Sequence, residues 1–301
     1  MYDIVIIGGG PAGLTAAIYG LRAGKKVLVL EGKALGGQIV NAMDVQNYPG
    51  FVSVSGVELA ANMQSQVVKL GGEIKYERAM GIKDMTVHTD GGEYKAKAII
   101  LATGAENRKL GLYDEEKFVG KGVSYCATCD GNFYKDKTVA VVGGGNTALE
   151  DAVYLSGIAT KVYLIHRRDE FKGDAENVTR VDENSNIEKV MSANVREILG
   201  DEKVTGLRVE IKPEGDKGVE ERIIDVDGVF FAIGYEPQAG EFASAVKLDT
   251  DGYIETTDGV HTSCPRIYVA GDARAKEFKQ LVTATADGAI AASTAVKEME
   301  E

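Results

Sequence analysis

Residues 126–130, Cys-Ala-Thr-Cys-Asp, place two thiols three positions apart with a carboxylate directly after the second. This CxxC spacing lets two sulfurs close a short-loop disulfide and typically lowers one thiol pKa. Dithiol–disulfide chemistry delivers protons with its electrons, and Asp130 is placed to shuttle them. The pair lies between two Gly-rich turns, at residues 8–13 and 143–148, of the kind that receives a dinucleotide. A dithiol between two nucleotide sites points to electrons running from a pyridine nucleotide, through a second cofactor, to a disulfide. Metal binding is the competing use of the thiols. Zinc takes four ligands, and His261 and Cys264 would complete a Cys3His set with Cys126 and Cys129, giving a redox-inert nucleotide-binding module. No second CxxC accompanies the first, so the redox reading is preferred and no metal is expected.

The elements that must hold these groups come in two copies. Residues 3–7 form a short apolar β-rich run, the turn Gly8-Gly9-Gly10-Pro11-Ala12-Gly13 follows, an Ala-rich helix covers 14–23, and a strand over 26–30 ends at Glu31. Gly8 permits the tight turn, Gly10 lets a pyrophosphate approach the helix N-terminus, and Gly13 allows close helix–strand packing. Glu31 is placed to accept both hydrogens of a ribose diol. The pattern restarts at Thr138, with a strand over 139–142, a turn containing Gly143, Gly145, Asn146, Thr147 and Ala148, a helix from 149, and a strand over 161–165. His166, Arg167 and Arg168 follow. Gly8 to Glu31 is 23 positions and so is Gly143 to His166, so a basic cluster stands where the first copy has its acid. A carboxylate repels a 2′-phosphate, whereas arginines hold one bidentately. The first site therefore suits a plain ribose, and the second favours NADPH over NADH.

The 301 residues suggest about two domains. An amphipathic helix is predicted over 57–70, antiparallel strands over 73–90, and a strand over 97–101 that ends in Ala102-Thr103-Gly104, a second place for backbone to approach a nucleotide. Residues 173–192 are polar and weakly periodic, with only Val178, Val181, Ile187 and Val190 to bury, and a helix is predicted there. Residues 205–211 and 221–224 read as a hairpin around Pro213, and 228–234 as another buried strand. The last strand, 266–270, ends in Gly271-Asp272, and Lys279-Gln280 opens a long Ala-rich helix. Gly36-Gly37-Gln38 and the segment from Asn47 read as surface turns as readily as contacts to a cofactor. No apolar run approaches the roughly 18–20 residues of a membrane span, and the N-terminus lacks the basic region of a signal peptide. The net charge of −12 argues against a nucleic-acid partner. Three cysteines suit a reducing, cytoplasmic setting with one active pair.

Taken together, GGGPAG at 8–13, GGQ at 36–38, NYPG at 47–50, ATG at 102–104, CATCDG at 126–131, GGGNTALEDA at 143–152, HRRDEF at 166–171, AIGYEP at 232–237, and AGD at 270–272 with a later KQLVTA resemble the low-molecular-weight, bacterial-type thioredoxin reductases over essentially the whole chain. The resemblance implies an α/β fold of two Rossmann-like, three-layer ββα domains, the second inserted in the first. It implies FAD in a domain built from 1–111 and 241–301, and NADPH in a domain over 112–240 that carries the CxxC. It places Gly36, Gly37, Gln38, Asn47, Thr103, Gly104, Gly271, Asp272, Lys279 and Gln280 with Gly8, Gly10, Pro11, Ala12, Gly13 and Glu31 at the flavin. It places Lys172 with Gly143, Gly145, Asn146, Thr147, His166, Arg167 and Arg168 at NADPH. Cys129 would face the flavin, Cys126 would attack thioredoxin or a thioredoxin-fold partner, and Asp130 would act as acid–base. A homodimer is implied, as is rotation of one domain on linkers near 110–115 and 237–241. Lys172-Gly173 stands where the family often has Arg-Ala, which predicts a weaker phosphate clamp. Asn132 replaces the first of two aromatics used in partner docking and Phe133 keeps the second, so a peroxidase or glutaredoxin-like partner, or a ferredoxin donor, is the alternative within the same class.

Overall fold

The computed structural model describes residues 1–42, 44–212 and 218–301. The chain divides into two compact units, one of Met1–Glu106 with Glu236–Glu301 and the other of Asn107–Tyr235. Both crossings lie a few residues before the boundaries expected from the sequence.

The first unit opens with β1 (Tyr2–Ile7), α1 (Pro11–Arg22), β2 (Val27–Leu30), α2 (Gly56–Lys69) and β3 (Glu73–Lys75). It continues with β4 (Ala79–Lys83), β5 (Thr86–Thr89), β6 (Glu93–Leu101) and β7 (Ala105–Asn107). Pro11 begins α1, where its fixed φ suits a helix and its missing N–H costs nothing. Ser55 caps α2 by accepting from the Glu58 amide at 3.2 Å. The strand β1 lies between β2 and β6, parallel to both, and β3 adds parallel to β2. The expectation of antiparallel strands over 73–90 is therefore corrected for β3, whose residues pair back onto β2; only β4, β5 and the start of β6 are antiparallel.

The second unit contains β8 (Val123–Ser124), α3 (Ala127–Asp130), β9 (Thr138–Val142), α4 (Asn146–Ser156), β10 (Lys161–Ile165), α5 (Ala175–Asp182) and β11 (Ile187–Val190). Then come β12 (Ala193–Gly200), β13 (Val204–Ile211), β14 (Glu220–Asp225) and β15 (Gly228–Phe231). A parallel sheet runs β11-β10-β9-β15-β8, and β12, β13 and β14 form an antiparallel meander. The two faces of the parallel sheet follow the two-residue period of its strands. Val139, Val141, Val162, Leu164 and Phe230 pack on Ala148, Leu149, Ala152 and Leu155 of α4. Ala140, Val142, Ile165, Val229 and Phe231 pack on Val195, Leu207, Val209 and Ile224 of the meander. Helix, parallel sheet and antiparallel sheet are thus three layers. The hairpin strands expected near 205–211 and 221–224 are present, and the turn at Pro213 lies outside the described residues. The strands β11 and β12 were not anticipated.

The chain leaves the second unit at β16 (Tyr235–Pro237) and adds β17 (Ile267–Val269) and α6 (Leu281–Glu300) to the first. β17 pairs parallel to β6, which completes a seven-stranded sheet. Ile4, Ile6, Ala98 and Ile100 face α1, α2 and α6, while Val5, Ile7, Ile99 and Leu101 face Val87, Phe242 and Ile254. Burying each Ile, Val, Leu or Phe among these contributes about 1.5–3 kcal/mol. The first unit has the same three-layer plan. Among the described residues no helix is long and apolar enough to cross a membrane.

Candidate active site

In the first unit the carboxyl ends of β1, β6 and β17 lie side by side, where parallel sheets bind ligands. Gly8 has φ 108°, and a Cβ there would stand 2.2 Å from the Ala102 carbonyl oxygen; a Cβ on Gly13 would stand 1.9 Å from the Gly8 oxygen. The turn therefore requires both glycines. Glu31 is buried at 8 % exposure, and its two oxygens accept from the Gly9 and Lys33 amides, each at 2.7 Å. The carboxylate holds the turn in shape and keeps a second lone pair on each oxygen. Gly36 donates its N–H to the Gly9 oxygen at 2.8 Å, and a Cβ on Gly37 would come within 3.2 Å of the Gly10 Cα. The second Gly pair is thus docked on the first loop. Gln38 is exposed just beyond it. Asn47 donates to the Gln280 side chain at 3.2 Å, and Gln280 caps α6 in a reciprocal box with Thr283. Lys279 instead sends its ammonium to the Lys276 carbonyl and over the Tyr253 ring.

Two features of this cluster fit a flavin nucleotide. Thr103 Oγ1 is buried with no hydrogen-bond partner among the described residues, and Gly104 (φ 71°) has open space where a side chain would be. The amides at the start of α1 carry no side-chain cap, which suits an anion.

The second unit repeats the geometry in register. A Cβ on Gly143 would lie 2.3 Å from the Ala232 oxygen, as at Gly8. A Cβ on Gly145 would meet nothing, and α4 again starts without a side-chain cap. Gly144 occupies the place of Gly9. There the His166 ring does what Glu31 does in the first unit: a Cβ on Gly144 would touch the imidazole at 2.2 Å. His166 is buried against Phe171, its Nε2 lacks a partner among the described residues, and burial holds its pKa below the ordinary histidine value. The charge at this tip therefore comes from Arg167, Arg168 and Lys172, all exposed. The Lys172 amide donates to the Gly144 oxygen at 2.7 Å. Asn146 and Asp174 bond reciprocally, Nδ2 to Oδ2 at 2.8 Å and the Asp174 amide to Oδ1 at 2.7 Å, and Thr147 is exposed beside them. Open glycine, uncapped helix and cationic tip suit a phosphorylated dinucleotide.

Cys126 and Cys129 form a disulfide, with Cys129 exposed and Cys126 half-buried. Ser124, at the end of β8, donates to Asp130 Oδ2 at 2.6 Å and accepts from the Cys126 amide at 3.1 Å. Burial pushes the Asp130 pKa up, and the Ser124 bond pulls it partly back. Tyr125 donates to buried Glu115 at 2.7 Å, and Glu115 also accepts from the Gly111 amide. The metal reading is not supported. Among the described residues no cluster of three or more His, Cys, Asp or Glu is placed to hold an ion. His261 bonds through Nδ1 to Asp258 at 2.6 Å and through Nε2 to Glu298 at 2.5 Å.

The family model of the pyridine nucleotide-disulphide oxidoreductases matches residues 2–288. A thioredoxin reductase of Listeria monocytogenes is 43% identical over 306 residues, covering 100% of this chain and 95% of that one. The chain belongs to the thioredoxin reductases. A crystal structure of a thioredoxin reductase from Streptococcus pyogenes superposes with a TM-score of 0.93 at 39% identity, covering 100% of this chain and 98% of that chain. One from Giardia duodenalis gives 0.91 at 34%, covering 100% and 99%. As a thioredoxin reductase, the chain is a flavoprotein oxidoreductase that uses FAD and NADPH. Sequence reasoning missed Ser124, Glu115, Asp174 and the buried acid Asp287. The last had a signal: an acid on the apolar, Ala-rich face of a helix.

Proposed function

We propose that this chain reduces thioredoxin, or a thioredoxin-fold protein, through the Cys126–Cys129 disulfide at the expense of NADPH. The observation that carries the reading is the disulfide beside a half-buried, serine-bonded carboxyl, in a chain with two dinucleotide loops in matching register. The first unit is the FAD domain, with residues 8–13, Glu31, Gly36, Gly37, Gln38, Asn47, Thr103, Gly104, Gly271, Asp272, Lys279 and Gln280 around the cofactor. The second is the NADPH domain. When bound, FAD supplies a two-electron relay between a hydride donor and a disulfide.

The chain's own residues do the rest. Gly145 and the first amides of α4, flanked by Asn146 and Thr147, receive the pyrophosphate of NADPH, and Arg167, Arg168 and Lys172 hold its 2′-phosphate. Two electrons break the Cys126–Cys129 bond, and one proton from Asp130 Oδ1 leaves a thiol and a thiolate; Ser124 occupies Oδ2. The Cys126 thiolate attacks the partner disulfide and forms a mixed disulfide, releasing one partner thiolate that takes a proton from solvent. Cys129 gives its proton to the Asp130 carboxylate and attacks Cys126, restoring the internal disulfide and releasing the second partner thiolate, which Asp130 protonates. Phe133, 49 % exposed four residues beyond Cys129, offers an apolar contact for docking. The reading includes a homodimer in the cytoplasm, which rests on family resemblance and on the few cysteines.

Cys129→Ser tests this path. Flavin reduction by NADPH should persist while thioredoxin turnover disappears; turnover that survives would sink the proposed route.

A further inference from the structure

Beneath the turn after β17 lies a buried set of charges that the reaction as described does not use. Asp287, on α6, accepts from the Gly271 amide at 3.1 Å, from Arg274 Nε at 3.1 Å and Nη2 at 2.8 Å, and from Lys276 Nζ at 3.1 Å. The Lys276 and Asp287 side chains are 8% and 7% exposed. Lys276 Nζ also lies 2.9 Å from Asp272 Oδ1 and 3.3 Å from Thr283 Oγ1. It meets Asp272 as an ion pair but off the line of a hydrogen bond, so that buried oxygen keeps an open acceptor direction. Thr103 Oγ1, at the end of the neighbouring strand β6, is a second buried and unpartnered oxygen. The formal charges of Asp272, Arg274, Lys276 and Asp287 cancel.

We propose that Lys276, clamped between Asp287 and Asp272, is a positioning residue for the flavin site: it fixes the Asp272 carboxylate toward the cofactor and neutralises it. The proposal rests on the assignment of the first unit to FAD. Buried charges are tolerated when paired, and removal of one partner leaves the other uncompensated. Without Lys276, Asp287 keeps Arg274 while Asp272 loses its ion-pair partner. Asp272 becomes free to turn, and the site gains net negative charge. A ring that must accept electrons then becomes harder to reduce.

The test uses the full-length protein, with FAD affinity measured by fluorescence titration of stripped protein and the flavin midpoint potential measured with indicator dyes. Lys276→Met should bind FAD roughly ten- to hundredfold more weakly, the worth of a lost charged hydrogen bond, and its flavin potential should move to more negative values. Lys276→Arg should recover most of both. The double variant Lys276→Met/Asp287→Asn separates positioning from structure. It restores the charge balance and should recover melting temperature and most of the potential, yet keep the FAD-affinity defect. Unchanged affinity and potential in Lys276→Met would overturn the proposal, as would recovery of FAD affinity in the double variant along with stability. Failure of the wild-type protein to bind FAD at all would overturn the site assignment itself, and it would be seen before any variant is compared.

Discussion

The Ser124 hydroxyl is the only side chain hydrogen-bonded to Asp130 among the described residues, and Ser124→Ala removes it. Burial already holds the Asp130 pKa above the ordinary aspartate value, with the Ser124 bond as the opposing influence. A hydrogen bond to a charged acceptor is worth about 1.5–3 kcal/mol, and one pH unit corresponds to about 1.4 kcal/mol. The substitution therefore raises the Asp130 pKa further. If Asp130 moves the proton of the dithiol, the limb of the pH–rate profile that reports it shifts to higher pH. The assay is NADPH-dependent thioredoxin reduction across pH, with anaerobic flavin bleaching by NADPH as the internal control. Bleaching should be unchanged, because among the described residues the Ser124 hydroxyl hydrogen-bonds only to Cys126 and Asp130. Ser124→Thr, which keeps the hydroxyl, should retain the wild-type profile. A limb that stays in place in Ser124→Ala, or an equal fall in both half-reactions, would refute the role given to Asp130.

Asp151 is half-buried on α4, beside Glu150, and desolvation pushes its pKa up to about 7 from 3.8. The folded state then holds a proton that the unfolded chain releases, so stability falls as pH rises from about 4 to about 7, by an amount on the order of 4 kcal/mol. Asp151→Asn should stabilise the protein by up to that amount in melting experiments above pH 7 and have little effect near pH 3; equal effects at both would contradict the assignment. Gly145→Ala should leave the melting temperature unchanged, because its Cβ meets nothing, while raising KM for NADPH. Gly13→Ala should destabilise the protein severely, because its Cβ would overlap the Gly8 oxygen; similar behaviour of the two alanines would contradict the site geometry.

Much of this was legible in the sequence. The 23-residue spacing from Gly8 to Glu31 and from Gly143 to His166 set two equivalent turns in register, and the structure folds both against the ends of parallel strands. What the register could not convey is the work done at its last position. Glu31 braces the Gly9 amide and His166 packs on Gly144, so each supports its loop from below. An imidazole kept neutral by burial does not add to the charge of Arg167 and Arg168. Gly36 and Gly37 looked like a surface turn because nothing local reveals that Gly36 bonds to Gly9. The strands β11 and β12 were hidden for a similar reason. Ile187 and Val190 are few apolar residues in a polar stretch, and β11 is held by parallel pairing to β10, a non-local contact. Asp287 was missed because its partners Arg274 and Lys276 lie on the preceding loop, which the helical pattern of α6 does not include.

The central claim is that a nucleotide site, a flavin and the Cys126–Cys129 disulfide act in series. An anaerobic titration of the holoprotein tests it directly, with NADPH and NADH compared by flavin absorbance and thiols counted at the end point. The account predicts bleaching at lower NADPH than NADH, uptake of about four electrons because two couples take two each, and two new thiols that are absent in Cys129→Ser. Uptake of only two electrons with the disulfide intact, or no bleaching by either nucleotide, would contradict it.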